Sequence, residues 1–229
     1  MKIINIFKRF LPKKFKRKII TLLRDEFTKS YIEYNKKIPK YQLREKNFKN
    51  LKAVSNREDL LRMLPKNGIV AEIGVYKGDF SKKILNITTP QKLHLIDNWG
   101  SKRYPKELQK IVKNKFKEEI INNKVEINTG LSIEVANSFK DNYFDWVYID
   151  TTHTYETTKN ELEKYSKKVK YDGIIAGHDF IIGNWSKIKK YGVIEAVYEF
   201  CVKNNWELIY LTMDCLYEFP SFAIRRIEE

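Results

Sequence analysis

The chain has 229 residues, of which 42% are hydrophobic and 14% aromatic, enough apolar material for a substantial core and too much for global disorder. Its net charge of +15 is uneven: residues 1–50 carry 16 Lys/Arg against 4 Asp/Glu, and the rest carry 28 against 25. The basicity belongs to an N-terminal arm, and the near-neutral body argues against a nucleic-acid groove across the main domain.

The two cysteines, Cys201 and Cys215, have no C-x-x-C spacing, so neither a disulfide framework nor a thiolate zinc site is indicated. Both sit in apolar stretches and read as buried free thiols. No apolar run approaches the ~18 residues of a membrane span. The apolar stretch in Met1–Arg9 is too short for a signal peptide. The expected location is cytoplasmic, with peripheral contact at the inner membrane surface left open.

In chain order, residues 1–24 are basic and amphipathic. Ile3, Ile4, Phe7, Phe10 and Leu11 recur at helical spacing before Pro12, and Phe15, Ile19, Ile20, Leu22 and Leu23 follow among lysines and Arg17. Such a stretch can lie on an anionic membrane. It can equally pack on its own domain or on a second subunit, so a homo-oligomer stays open. Residues 1–54 form a basic, partly helical extension, and 55–229 the main domain.

Asn56 caps a helix carrying Leu60, Leu61 and Leu64. A buried strand, 69–74, leads to a helix with Phe80, Ile84 and Leu85. A second strand covers 92–97, a lysine-rich helix 104–122, and a short strand 125–127. After a short helix containing Ile133, Val135 and Phe139 comes a fourth strand, 144–150. A helix over 155–168 precedes the fifth strand, 173–177. The helix 192–204 is followed by two strands, 206–211 and within 215–227. The strand–helix alternation predicts an α/β fold with a parallel sheet. The closing pair is too closely linked to be parallel. The expectation is a Rossmann-like, seven-stranded, mostly parallel sheet ending in an antiparallel hairpin.

Ligands of open α/β sheets bind beyond the carboxyl ends of the strands. The first strand ends in Glu72-Ile73-Gly74-Val75-Tyr76-Lys77-Gly78, whose two glycines permit a tight turn and close ligand approach. The dinucleotide fingerprint and the phosphate-binding G-K-[ST] are both absent. The second strand ends in Asp97, placed to accept hydrogen bonds from ribose hydroxyls. A ribose acid without a phosphate cradle points to a nucleoside lacking phosphates, which S-adenosylmethionine satisfies.

Glu72–Gly78 resembles motif I of the class I S-adenosylmethionine-dependent methyltransferases, especially the metal-dependent catechol and macrolide-sugar O-methyltransferases. There glutamate, glycine, tyrosine and glycine stand in the same order. The similarity covers about residues 55–227. It implies cofactor contacts for Glu72, Gly74, Tyr76, Gly78 and Asp97. Thr129-Gly130-Leu131-Ser132 resembles the family's glycine-x-serine turn beside the adenine, which implies Ser132.

The fourth strand ends in Asp150-Thr151-Thr152-His153 and the fifth in Gly177-His178-Asp179. Adjacent parallel strands gather Asp150, His178 and Asp179 beside the cofactor position, with His153 one turn further on. Two carboxylates and an imidazole can hold a divalent metal. Alternatively, His178 is a core histidine and Asp179 caps a turn. The resemblance puts Asp150, His178 and Asp179 on the family's magnesium-binding positions, and His153 on that of the general base. The family's first strand-five ligand is usually a carboxylate, so His178 leaves magnesium or manganese open. Trp99, Trp185 and Tyr191 either wall the acceptor site or pack its loops, and His94, inside a strand, reads as structural.

The expected activity is methyl transfer to a hydroxyl of a small molecule or glycan unit, a sugar by preference. Nucleic acid is not the expected substrate, since the fourth strand lacks the Asn/Asp-Pro-Pro-Tyr pattern of base amino methylation. Two other readings stand beside it: a cephalosporin hydroxylase-like metal enzyme of the same fold, and a non-enzymatic membrane or nucleic-acid binder using the basic arm.

Overall fold

The computed structural model describes residues 12–101, 104–184, 189–214 and 219–228. Residues 3–11, Trp185 and Cys215, singled out above, lie outside them.

A single basic helix, α1 (Lys13–Lys37), opens the described chain. A short strand β1 (Lys52–Val54) follows, then α2 (Arg57–Met63). Asn56 caps α2: its side chain accepts from the backbone N–H groups of Glu58 and Asp59. Next come β2 (Ile69–Ile73), α3 (Asp79–Thr88) and β3 (Lys92–Asp97). The expected helix over 104–122 is two helices, α4 (Lys106–Lys115) and α5 (Lys117–Ile121), broken at Phe116, which is buried. The chain continues through β4 (Val125–Thr129), the short α6 (Ser132–Val135), β5 (Phe144–Ile149), α7 (Tyr155–Lys168) and β6 (Val169–Gly177). A small hairpin of β7 (Gly183–Asn184) and β8 (Lys189–Lys190) precedes α8 (Val193–Asn204), β9 (Trp206–Thr212) and β10 (Phe222–Arg226).

The main sheet has eight strands, in the order β1-β9-β10-β6-β5-β2-β3-β4. This corrects the expected seven. The extra strand is β1, which pairs in parallel with β9 at one edge. The other neighbours are parallel except for β10, which is antiparallel to both β6 and β9. The expected closing hairpin is therefore present.

Because side chains alternate across a strand, the central strands feed two cores. Ala71, Ile73, Val147 and Ile149 face one core, shared with Leu162, Tyr165, Val197 and Phe200 of α7 and α8. Val70, Trp146 and Tyr148 face the other, against Leu60 and Leu61 of α2 and Ile84 of α3. Cys201 is buried in the first core, and burial pushes its thiol pKa up. His94 is structural: its ring nitrogens lie 3.0 Å from Asn128 Oδ1 and 3.2 Å from Tyr143 Oη.

Candidate active site

Strand register brings the site together. Ile73 pairs with Ile96 on one side and Ile149 on the other, and Ile149 pairs with Gly177. Backbone bonds carry the ladder one residue further. Gly74 N donates to Ile96 O (2.8 Å), Asp150 N to Ile73 O (2.7 Å) and His178 N to Ile149 O (3.0 Å). Four strands thus end level. The tips of β2, β3 and β5, with Gly130–Ile133, line a cleft of about 860 Å³ beside β2, where the strand order reverses. That volume suits a cofactor-sized ligand, and the position is the expected one for an open α/β sheet.

Gly74 is required sterically. Its φ is +94°, and a Cβ there would stand 1.9 Å from the carbonyl oxygen of Asp150. Gly78 (φ +74°) precedes α3, and a Cβ would strike the Phe116 ring at 2.7 Å. Between them Asp97 holds the turn. One carboxylate oxygen accepts from Val75 N (2.8 Å) and Tyr76 N (2.9 Å), the other from Trp99 N (3.1 Å). The predicted ribose acid is thus a structural clamp as well, with acceptor capacity left for a ligand. Trp99 is buried, and its indole N–H donates to Tyr76 O at 3.0 Å. Tyr191 is buried with its ring 4.9 Å from that of His153. Both aromatics therefore support the site loops.

Glu72 is buried and accepts a hydrogen bond from Ser81 Oγ. Burial pushes its pKa up to about 8, against the lowering effects of Ser81 and Arg57. Ser132 Oγ donates to Glu161 Oε1 (2.6 Å), while Thr151 Oγ1 donates to Glu161 Oε2 (2.8 Å). Burial pushes Glu161 up to about 7. Sequence reasoning missed this carboxylate. The available signal was a charged residue on the inward face of α7, beside Thr158, Leu162 and Tyr165.

Arg57 was missed too. Its guanidinium lies 3.7 Å from the Phe80 ring centre and 3.6 Å from Asp150 Oδ2. The signal was its place one residue after the Asn56 cap.

The structure brings Asp150, His153, His178 and Asp179 together, with a grouping different from the expected Asp150, His178 and Asp179. Ligand atoms of Asp150, His153 and Asp179 lie within 4.8 Å of one another. His153 Nε2 is 2.9 Å from Asp179 Oδ2. His178 Nδ1 lies 3.6 Å from Asp150 Oδ2 and 3.5 Å from Asp179 Oδ1. Among the described residues His178 Nε2 has no hydrogen-bond partner. Burial lowers the His178 pKa, opposed by Asp150. Asp179 is held below the usual carboxylate range: burial raises it, but the hydrogen bond to His153 and nearby positive charge outweigh that. Two carboxylates and imidazole nitrogens fit a divalent cation, and suit manganese better than magnesium, which prefers oxygen donors.

Backbone strain marks the same place. Among the described residues, positive φ outside glycine occurs at four asparagines, at Thr89, and at Tyr76, Trp99, His153 and Asp179. Asparagine tolerates that region; of the last four residues, His153 and Asp179 also enter it more readily than most, whereas the bulky Tyr76 and Trp99 are outliers that cost on the order of 1–3 kcal/mol each. Three of the four line the cleft, and Asp179 bonds to His153 on its wall. Strain of this kind clusters where function requires it.

The stretch from Ala71 to Phe180 matches a family described as "Methyltransferase domain". The match takes in β2 to the end of β6, the part of the chain that holds the glycine turn, Asp97 and Asp150. Solved structures agree on the fold. The chain is similar to the M1A22 tRNA methyltransferase TrmK of B. subtilis, with a TM-score of 0.55 and 12% identity over 76% of this chain and 66% of that one. The pyocyanin biosynthetic protein PhzM gives a TM-score of 0.57 and 12% identity over 74% of this chain and 53% of that one. Cofactor-bound Rv0187 from MTB gives a TM-score of 0.57 and 12% identity over 89% of this chain and 90% of that one. The chain spans about two thirds of the first neighbour and about half of the second. At these identities the likeness is one of fold. No curated protein matches the chain. The sheet order, the glycine turn and the Asp97 clamp accord with the class I fold read from the sequence. No helix among the described residues is long and apolar enough to cross a membrane.

Proposed function

We propose that the chain transfers the methyl group of S-adenosylmethionine to a hydroxyl of a small acceptor, a sugar by preference. One observation carries this reading. Asp150 and His153 line the same cleft as Gly74 and Tyr76 of the glycine turn, and their ligand atoms lie within 4.8 Å of one another and of Asp179, which stands behind His153.

When bound, S-adenosylmethionine supplies a sulfonium methyl group, which passes to the acceptor oxygen by in-line displacement. The cleft residues orient the donor. Glu72 lies at the end of β2 and Gly74, Tyr76 and Gly78 in the turn after it, Asp97 offers its remaining acceptor capacity, Asp150 follows β5, and Ser132 opens α6. A hydroxyl is a poor nucleophile at neutral pH, so its proton needs a destination. Asp179, kept ionised, accepts the proton-bearing Nε2 of His153, which leaves Nδ1 as the basic nitrogen. His153 then takes the hydroxyl proton as general base. A divalent cation held by Asp150, Asp179 and His178 would lower the acceptor's pKa.

A second reading has one specific support. In it His153 is itself a metal ligand, which the closeness of Asp150, His153 and Asp179 supports. Methyl transfer to a panel of sugars and catechols, with and without chelator, tests both. Activity indifferent to chelator keeps the His153–Asp179 base and removes the metal. No methylation of any hydroxylated acceptor, with S-adenosylhomocysteine binding intact, overturns the O-methylation reading.

A further inference from the structure

The two ends of α1 differ. Its C-terminal end is anchored. Ile38 is buried in the first core, Tyr34 packs on that core, and Tyr155 N donates to Tyr34 Oη at 3.3 Å. The Lys190 ammonium lies 5.1 Å from the Tyr31 ring centre. Along α1 itself no residue is buried, and in the N-terminal half Phe15, Ile19, Ile20, Leu22 and Leu23 are 42–65% exposed.

These five side chains are arranged, not scattered. At 3.6 residues per turn they fall within an arc of roughly 160°. Lys14, Arg17, Lys18 and Arg24 occupy the other side. Lys16 alone stands inside the apolar arc, where its long stem can lie along the face and lift its charge clear. Lys13–Arg24 holds six cations and no acid, and the first acidic residue of the chain is Asp25.

We propose that Lys13–Arg24 is a docking surface for an anionic lipid membrane. The helix lies in the interface plane, its apolar arc at the acyl boundary and its cations among the headgroups. Charge decides between occupants. A second copy packed arc to arc would cover the apolar side chains but set two segments of six cations each beside one another, with no acid in either to pair them. A nucleic acid would engage the cations and leave five large apolar side chains in water. An anionic bilayer satisfies both faces at once. The anchored end stands at the rim of the cleft: Tyr155 follows His153 by two residues, and Lys189 Nζ reaches Thr152 O at 3.3 Å. A docked chain therefore holds its cleft within one helix length, about 37 Å, of the lipid.

The test uses the full chain with phosphatidylcholine vesicles and with vesicles of equal parts phosphatidylcholine and phosphatidylserine. Co-sedimentation is expected with the second only, and raised salt should release the protein. Replacing Lys14 and Lys18 by Gln should weaken partitioning about fivefold per cation. Ile19→Asp with Leu22→Asp should reduce it to background while the thermal melt stays unchanged. Equal binding to both vesicles, binding to neither, or tighter binding to an RNA duplex than to anionic vesicles overturns the proposal. So does a lipid-free dimer, seen by light scattering, that the Ile19/Leu22 variant splits.

Discussion

His153 Nε2 sits 2.9 Å from Asp179 Oδ2, and both residues hold left-handed backbone, φ +61° and +57°. Each comes from a different strand end, so the sheet fixes their separation. The pairing sets which nitrogen of His153 carries the proton. His153→Ala is expected to lower turnover by about 100–10,000-fold, the usual cost of losing a general base. Asp179→Asn should lower it as well, because the amide can pair with the wrong tautomer. S-adenosylhomocysteine affinity, measured by calorimetry, should stay within a few-fold in both. Full activity of His153→Ala would remove the mechanism and leave the fold assignment intact.

Asp97 has two tasks that a melt can separate. S-adenosylhomocysteine at ~100 times its dissociation constant should stabilise the wild type by about 2.7 kcal/mol. Asp97→Ala should abolish most of that gain. It should also lower the ligand-free melting temperature, because the N–H groups of Val75, Tyr76 and Trp99 lose their acceptor. A variant that loses only the ligand shift would show that the clamp adds no stability.

Gly74→Ala should destabilise by at least about 2 kcal/mol, combining left-handed strain with a hard backbone clash. The added methyl meets the Asp150 carbonyl, which cannot rotate away as a side chain could. Urea denaturation of the purified variant measures the loss. A change below about 0.5 kcal/mol, the range of an ordinary surface substitution, would mean the turn relaxes freely.

Glu72 makes stability depend on pH in an unusual direction. Its pKa in the fold is about 8, against about 4.3 for an unperturbed glutamate. Between those values the folded chain keeps a proton that the unfolded chain has released. Stability therefore falls as pH rises through this window, by up to ~1.4 kcal/mol per unit. Glu161, pushed up to about 7, acts in the same sense over a narrower range. Glu72→Gln should flatten the dependence. Melts at about pH 6 and about pH 9 compare the two proteins, and parallel losses would show that Glu72 ionises freely.

Much of this was legible in the sequence because it is local. Helix α7 was expected over 155–168 and spans Tyr155–Lys168, since the Thr154 cap and an inward apolar face define it. The strand ends at Gly74 and Asp97 were legible because ligands gather there in this fold class. The pairing of His153 with Asp179 was not, since it depends on the register of two strands and on two left-handed residues that no propensity announces. Glu161 was hidden within a charged helix. Strand β1 was hidden by its brevity: Lys-Ala-Val carries no alternation to detect.

That short strand has a consequence for handling the protein. Through Lys52, Ala53 and Val54 it covers the outer backbone of Tyr210, Leu211 and Thr212. A fragment starting at residue 55 would uncover a row of unsatisfied amides and carbonyls, the kind of open edge that recruits strands from other molecules. Such a fragment should precipitate or form fibrils, while one starting just before Lys52 should keep its border closed.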